Sequence, residues 1–215
     1  MTDTSSYLGA TADAYDSVAV LYDELFRDAL DTRPLDRALL AAFAELVRTN
    51  GAGSVAELGC GPGQVTAHLR DLGLDAFGVD LSPVMIDIAR RTYPDLRFDV
   101  GSMDALDLAD GGLNGIVSWY SMIHTPPKHL PPYFTEFRRV LAPGGHLLFA
   151  FFASEEPVTP FDHKVATAYQ WPVDVLAEMA REAGFVEVSR MLCAPQEGER
   201  QLPQGRLLMR AGRAG

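Results

Sequence analysis

Val55-Ala56-Glu57-Leu58-Gly59-Cys60-Gly61-Pro62-Gly63-Gln64 decides how this chain folds. A short apolar run leads into three glycines at alternate positions, and a helix-forming segment follows. Glycine lets the backbone turn sharply and lets a ligand approach where a Cβ would collide. The helix behind the loop presents free N–H groups to such a ligand. A tight structural turn needs only two of these glycines. Three at a strand-to-helix junction, preceded by Glu57, point to a ligand cradle.

Outward from this loop the chain alternates. Short apolar strands are expected at 54–58, 75–79, 96–100, 115–120 and 145–152, with helices at 64–72, 83–92 and 128–142 between them. Ser82-Pro83 supplies a cap and a first-turn proline for the second of these helices. Upstream, 10–27 and 34–49 read as helices; Leu35, Leu39, Leu40, Phe43, Leu46 and Val47 make one apolar face of the latter. The former gathers Tyr15, Val18, Ala19, Tyr22, Leu25 and Phe26 on one side. After a Pro-rich stretch at 154–172, a helix at 173–183 stops at Gly184 and strands follow at 185–193 and 205–211. Pro195–Gly205 is too short for a crossover helix, so these last strands pair as an antiparallel hairpin. The expected fold is α/β: a doubly wound, mostly parallel sheet in a single domain. Residues 1–50 form an N-terminal helical lid, 54–152 the ligand-binding core, and 153–215 a C-terminal helix and hairpin.

Composition narrows the partners. The 215 residues carry 18 Lys+Arg against 29 Asp+Glu, a net charge of −11, with no basic arm. Nucleic acid and anionic membranes want a concentrated cationic footprint, so both are excluded as expected ligands. No apolar run approaches the ~20 residues of a membrane span. Met1–Ser6 lacks the basic start and apolar stretch of a signal peptide, so the expected location is the cytoplasm. Cys60 and Cys193 sit in no CxxC and the five histidines in no HxxxH, so no metal is expected.

Several residues carry chemistry. Asp80 ends the second strand, where a carboxylate can accept both hydroxyls of a ribose lying across the strand ends; capping the next helix is its other reading, although Ser82 is better placed for that. Gly101-Ser102-Met103-Asp104 reaches the same edge, either to meet an adenine ring or as a plain strand exit. His124 follows the fourth strand, where its imidazole is matched to proton removal near neutral pH or simply holds the loop before Thr125-Pro126-Pro127. Tyr15 and Tyr22, two helical turns apart, close over a ligand as an aromatic lid or pack as core. Tyr7 and Glu24 belong to the same group, with Glu24 an alternative base or a solvated acid.

Glu57-Leu58-Gly59-Cys60-Gly61-Pro62-Gly63 with Asp80 resembles the first two motifs of class I S-adenosylmethionine-dependent methyltransferases. Leu141-Ala142-Pro143-Gly144-Gly145 before a long apolar strand is similar to the family's late motif, and Trp119-Tyr120-Ser121-Met122-Ile123-His124-Thr125-Pro126-Pro127 looks like its small actinomycete members. The resemblance covers about residues 10–212. It implies a Rossmann-like sheet of seven strands, the last antiparallel between two parallel ones, under two N-terminal lid helices. It implies S-adenosylmethionine as cofactor and S-adenosylhomocysteine as product. Gly59, Cys60, Gly61 and Gly63 would then hold the methionyl end, with Glu57 near its amino group. Asp80 would take the ribose, Leu81 and Ser82 would flank the adenosine, and Ser102, Met103 and Asp104 would meet the adenine. Trp119 and Tyr120 would face the sulfonium, with Tyr15 and Tyr22 above. Phe161-Asp162-His163 and Tyr169-Gln170-Trp171 would sit over the acceptor, so Tyr7, Tyr120, Ser121, His124, His163, Tyr169 and Trp171 are candidates to touch it. The implied reaction is methyl transfer to O, N or C of a small aromatic or apolar natural product, by a monomer or homodimer. Two positions depart from the family: Ser102 stands where Asp is frequent, and Leu113-Asn114 where Phe-Asp is common. A nicotinamide enzyme would want G-x-G-x-x-G instead. A cofactor-binding protein without catalysis, or a partner subunit, is the remaining alternative.

Overall fold

The computed structural model of the chain describes residues 4–195 and 202–212; the connection at 196–201 and the terminal residues 1–3 and 213–215 lie outside it. Two helices come first, α1 (Thr4–Phe26) and α2 (Pro34–Thr49), joined by a 3-10 turn at Ala29–Thr32. The alternating core follows as β1 (Ser54–Leu58), α3 (Gln64–Asp71), β2 (Ala76–Asp80), α4 (Pro83–Thr92), β3 (Phe98–Val100), β4 (Leu113–Trp119), α5 (Pro131–Val140) and β5 (Leu141–Ala153). The chain closes with β6 (Thr159–Asp162), β7 (Thr167–Trp171), α6 (Val173–Glu182), β8 (Phe185–Cys193) and β9 (Gln204–Ala211).

Strands β3, β2, β1, β4 and β5 lie side by side and parallel, and β9 runs antiparallel between β5 and β8. These are the seven strands expected. Two more lie in the Pro-rich stretch, where no strand is expected: β6 and β7 form an antiparallel hairpin, and β7 pairs with β5 at Phe152–Gln170 and Ala153–Trp171. Because β9 occupies one edge of β5 as far as Phe152, β7 takes the other edge, which β4 leaves at Trp119. Pro160 is tolerated because β6 is an edge strand, where a missing N–H breaks no second ladder. Helix α5 begins at Pro131 rather than 128, since the Pro131-Pro132 pair fits only a first helical turn.

Alternate strand residues feed opposite faces of the sheet. Val55, Val117 and Leu148 pack with Leu40, Phe43 and Val47 of α2 and Leu69 of α3. Ala56, Ile116, Leu147 and Phe149 pack with Phe134 and Phe137 of α5 and Leu176 of α6. Helix α2 is thus a sheet-covering helix and not a lid. Helix α1 sits elsewhere, with Ala19 against Met85 and Ile88 of α4 while Leu21 and Leu25 stay exposed.

Candidate active site

The loop after β1 has all three glycines at positive φ, but for different reasons. A Cβ on Gly59 would overlap the Cβ of Ser121, and one on Gly63 would come within 2.7 Å of the Phe98 ring. At Gly61 the nearest atom would be Tyr22 Cε1 at 3.9 Å, so this glycine alone faces open space. Its N–H donates to Asp80 Oδ2 at 2.7 Å, while Ser82 N–H donates to Oδ1 at 2.9 Å. Burial raises the Asp80 carboxyl above its ordinary pKa, and the two backbone bonds hold it back. Each carboxylate oxygen keeps a further lone pair for a ligand hydroxyl. Glu57 is buried at the base of the loop, accepts from the Thr66 hydroxyl, and is pushed by burial up to about 8.

Two cavities meet above this loop. The smaller, about 70 Å³, has Asp80, Leu81, Met85 and Met103 in its wall. The larger, about 600 Å³, has Arg33, Glu57, Gln64 and Lys164 in its wall together with the apolar Leu21, Leu25, Phe26, Ile123 and Phe152. Tyr15, Tyr22, Gly59, Gly61, Trp119 and Tyr120 belong to both walls. Among the described residues Tyr120 is the one non-glycine at positive φ, +55°. It is held there by its hydroxyl bond to Gln204 Oε1 at 2.7 Å and by the buried Arg206 guanidinium 5.4 Å from its ring.

Residues 55–145 match the family of methyltransferase domains. The chain is 29% identical over 146 residues to a malonyl-[acyl-carrier protein] O-methyltransferase of Erwinia billingiae, covering 68% of this chain and 54% of that protein. It is 29% identical over 136 residues to a demethylmenaquinone methyltransferase of Chlorobaculum parvum, covering 61% and 55%. Residues 55–145 are thus a methyltransferase domain. The chain spans about half the length of these two curated relatives. Its fold matches that of the 1,6-didemethyltoxoflavin-N1-methyltransferase of Burkholderia thailandensis, solved with bound 1,6-didemethyltoxoflavin and S-adenosylhomocysteine. That match has a TM-score of 0.70 and 22% identity, over 94% of this chain and 88% of that one.

The chemistry of S-adenosylmethionine fits the residues present here. Gly61 leaves room in the cradle, Asp80 offers acceptors, and the buried Oε1 of Gln64, in the wall of the larger cavity, has no partner within the protein. Among the described residues no cluster suits a metal and no helix is long and apolar enough to cross a membrane.

Several expected site residues are engaged elsewhere. Glu24 is exposed and lines neither cavity, because two residues from Tyr22 it points off the helix toward solvent. Tyr7 bonds Tyr133 Oη at 2.7 Å and stacks on His129, fastening the start of α1 to α5. The Ser82 hydroxyl caps α4 by accepting from Met85 N–H at 3.0 Å and donates to Asp16 of α1. Ser102 and Asp104 bond each other and line neither cavity, leaving Met103 as that segment's contribution. Ser121 donates to the Leu58 carbonyl at 2.6 Å, so it reaches the smaller cavity with its hydroxyl already bonded. Gly63 is packed out of the site, and Tyr169 and Trp171 pack with the α5–α6 core. Of that hairpin His163, Lys164 and Val165 line the larger cavity. His124 is buried at 7% exposure and stands behind Tyr15 rather than in a cavity wall.

Sequence reasoning missed Gln64, Gln204 and the buried pair of Arg206 with Asp36 at 2.8 Å, which sits under Trp119 and Tyr120. One signal was available: Arg206 is a charge inside the otherwise apolar run Gly205–Met209.

Proposed function

We propose that this methyltransferase moves the methyl group of S-adenosylmethionine to a small apolar or aromatic acceptor. The observation that carries the reading is the pair of cavities sharing one wall of six residues, with Asp80 on one side and an apolar chamber on the other. A chamber of about 600 Å³ is the size of a small-molecule pocket. When bound, the cofactor supplies an already activated sulfonium methyl group. The protein's share is to hold and align. Asp80 would accept the ribose hydroxyls, Met103 and Leu81 would flank the base, and Glu57 and Gln64 would meet the charged amino acid end. Trp119 and Tyr120 would exclude water where donor and acceptor touch, and alignment of the reacting atoms is worth several kcal/mol of barrier. The named relatives act on malonyl-[acyl-carrier protein] and demethylmenaquinone; an apolar acceptor fits the wall here.

Calorimetry with S-adenosylhomocysteine, NAD and NADP tests the donor half. Heat is expected with the first alone; binding of either nicotinamide cofactor in its place overturns the assignment.

A further inference from the structure

We propose that Tyr15 is the residue that takes the proton from the methyl acceptor, handing its own to His124, and that the acceptor group is therefore an un-ionised O–H or N–H. The inference rests on the methyl-transfer reading above and assigns its missing base.

The hydrogen bonds fix the direction. His124 Nδ1 lies 2.9 Å from the Thr167 carbonyl oxygen, and its Nε2 lies 2.9 Å from Tyr15 Oη. A carbonyl can only accept, so Nδ1 carries the hydrogen. Burial lowers the imidazole's pKa, which keeps the ring neutral near pH 7 and leaves Nε2 with a free lone pair. The Tyr15 hydroxyl therefore donates to Nε2. Tyr15 lines both cavities and His124 lines neither, so a group in the acceptor chamber meets the tyrosine and not the imidazole. Glu24 points to solvent, and Glu57 is taken up by Thr66.

The step balances. The acceptor's lone pair makes the new bond to the methyl carbon, and the old carbon–sulfur pair stays on sulfur. The acceptor's proton passes to Tyr15 Oη as the Tyr15 proton passes to His124 Nε2. The positive charge lost from sulfur appears on the imidazolium, whose Nδ1–H remains on Thr167. No tyrosinate is formed, which suits a phenol whose pKa burial raises well above its ordinary value. The three partners come from α1, the turn Met122–His124 and β7, so the relay exists only with α1 in place.

Two readouts test it. Long-range ¹⁵N NMR of the free protein should find His124 as the Nδ1–H tautomer, and an Nε2–H tautomer overturns the relay without any acceptor. Methyl transfer is then followed with 1-naphthol, which has a proton to lose, and 1-naphthoate, which is already ionised. Tyr15→Phe and His124→Gln should keep S-adenosylhomocysteine affinity within about threefold and lower the rate on 1-naphthol by about 10²–10⁴. Wild-type rates on 1-naphthol in Tyr15→Phe overturn the relay. So does a wild-type protein that binds S-adenosylhomocysteine yet methylates only 1-naphthoate, or neither probe. Failure to bind S-adenosylhomocysteine is a different result and overturns the methyl-transfer reading itself.

Discussion

The two cavities are built in different ways. The walls of the smaller are tied down. Asp80 is held by two backbone N–H groups, Ser82 by its cap and by Asp16, and Met85 and Met103 by the core. The larger is walled by exposed apolar side chains of α1 and by the turn of an extra hairpin, with Leu25 64% exposed. One half is made from the ends of the sheet itself, where short hydrogen bonds specify position. The other is made from segments laid over the sheet, where side chains specify contents. The smaller cavity nevertheless measures only about 70 Å³. That is room for a few waters, far below the ~300 Å³ at which ligand pockets begin. Seating an adenosine there is expected to need α1, which supplies Thr11, Ala12, Tyr15 and Tyr22 of the wall, to shift outward. On that expectation the sheet-edge half depends on the overlying one for access.

The sharpest break in this comparison is at Gly59. A Cβ there overlaps Ser121 and the residue sits at φ +75°, so Gly59→Val should cost about 3–5 kcal/mol of stability, combining left-handed backbone strain with overpacking. Gly61→Ala, facing open space, should cost only the backbone strain, about 1–3 kcal/mol. Urea denaturation compares them, and equal losses would mean the two glycines do the same work. Next in size is Asp80→Ala, expected to weaken S-adenosylhomocysteine by about 1.5–3 kcal/mol, the worth of hydrogen bonds to a charged group. Leu25→Ala, on the acceptor wall, should leave that affinity unchanged. A comparable loss in both would erase the division between the chambers.

The same division governed what could be read from the sequence. The glycine loop, Asp80 and the Ser82 cap are local patterns whose partners lie within some twenty residues, as Gly61 and Asp80 do. The hairpin at 159–171 was hidden because Pro157, Pro160 and Pro172 break any strand pattern, and only the edge left by β4 makes pairing there favourable. Tyr15 and His124 are 109 residues apart, and Arg206 and Asp36 are 170 apart. No spacing rule reaches such contacts, so His124 and Tyr15 are each legible by type and place while the bond between them is not. The bond of Ser121 to the Leu58 carbonyl is illegible for the same reason, since only the folded chain brings the two together.

Glu57 lies where the two halves join and gives a pH-dependent test. Its folded pKa of about 8 is raised above the ordinary carboxyl value of 4.5, chiefly by burial. The folded protein therefore binds a proton that the unfolded chain has lost between these values, and stability falls as pH rises through that window. Placing the cofactor's ammonium group beside it would reverse the shift. Binding of S-adenosylhomocysteine at pH 7 should release close to one proton, and affinity should rise with pH toward 8 by at most about 1.4 kcal/mol per unit. Calorimetry in two buffers of different ionisation heat counts the proton. Release that persists in Glu57→Gln would assign it to another group.

The smallest expected effect concerns the bond that ties α1 to the start of α4 beside the smaller chamber. Ser82 bonds both Met85 N–H within α4 and Asp16 on α1, so one hydroxyl serves helix capping and the tie to α1 together. The two roles separate by substitution. Ser82→Ala removes both and should lower stability by about 1 kcal/mol, the usual worth of a cap. Asp16→Ala keeps the cap and removes only the tie, so its melting temperature should stay near the wild-type value. Both should speed amide exchange along 11–23 in the free protein, because this stretch of α1 is then held by the Ala19 contact with Met85 and Ile88 and the Tyr15–His124 bond, with Tyr7 fastening only the start of the helix. Adding S-adenosylhomocysteine should restore protection in Asp16→Ala, since the ligand would fill the chamber beneath the helix. Should wild-type α1 exchange at the same slow rate with and without ligand, the helix is a fixed wall. The nucleoside would then have to enter from the acceptor side, past Tyr15 and Trp119.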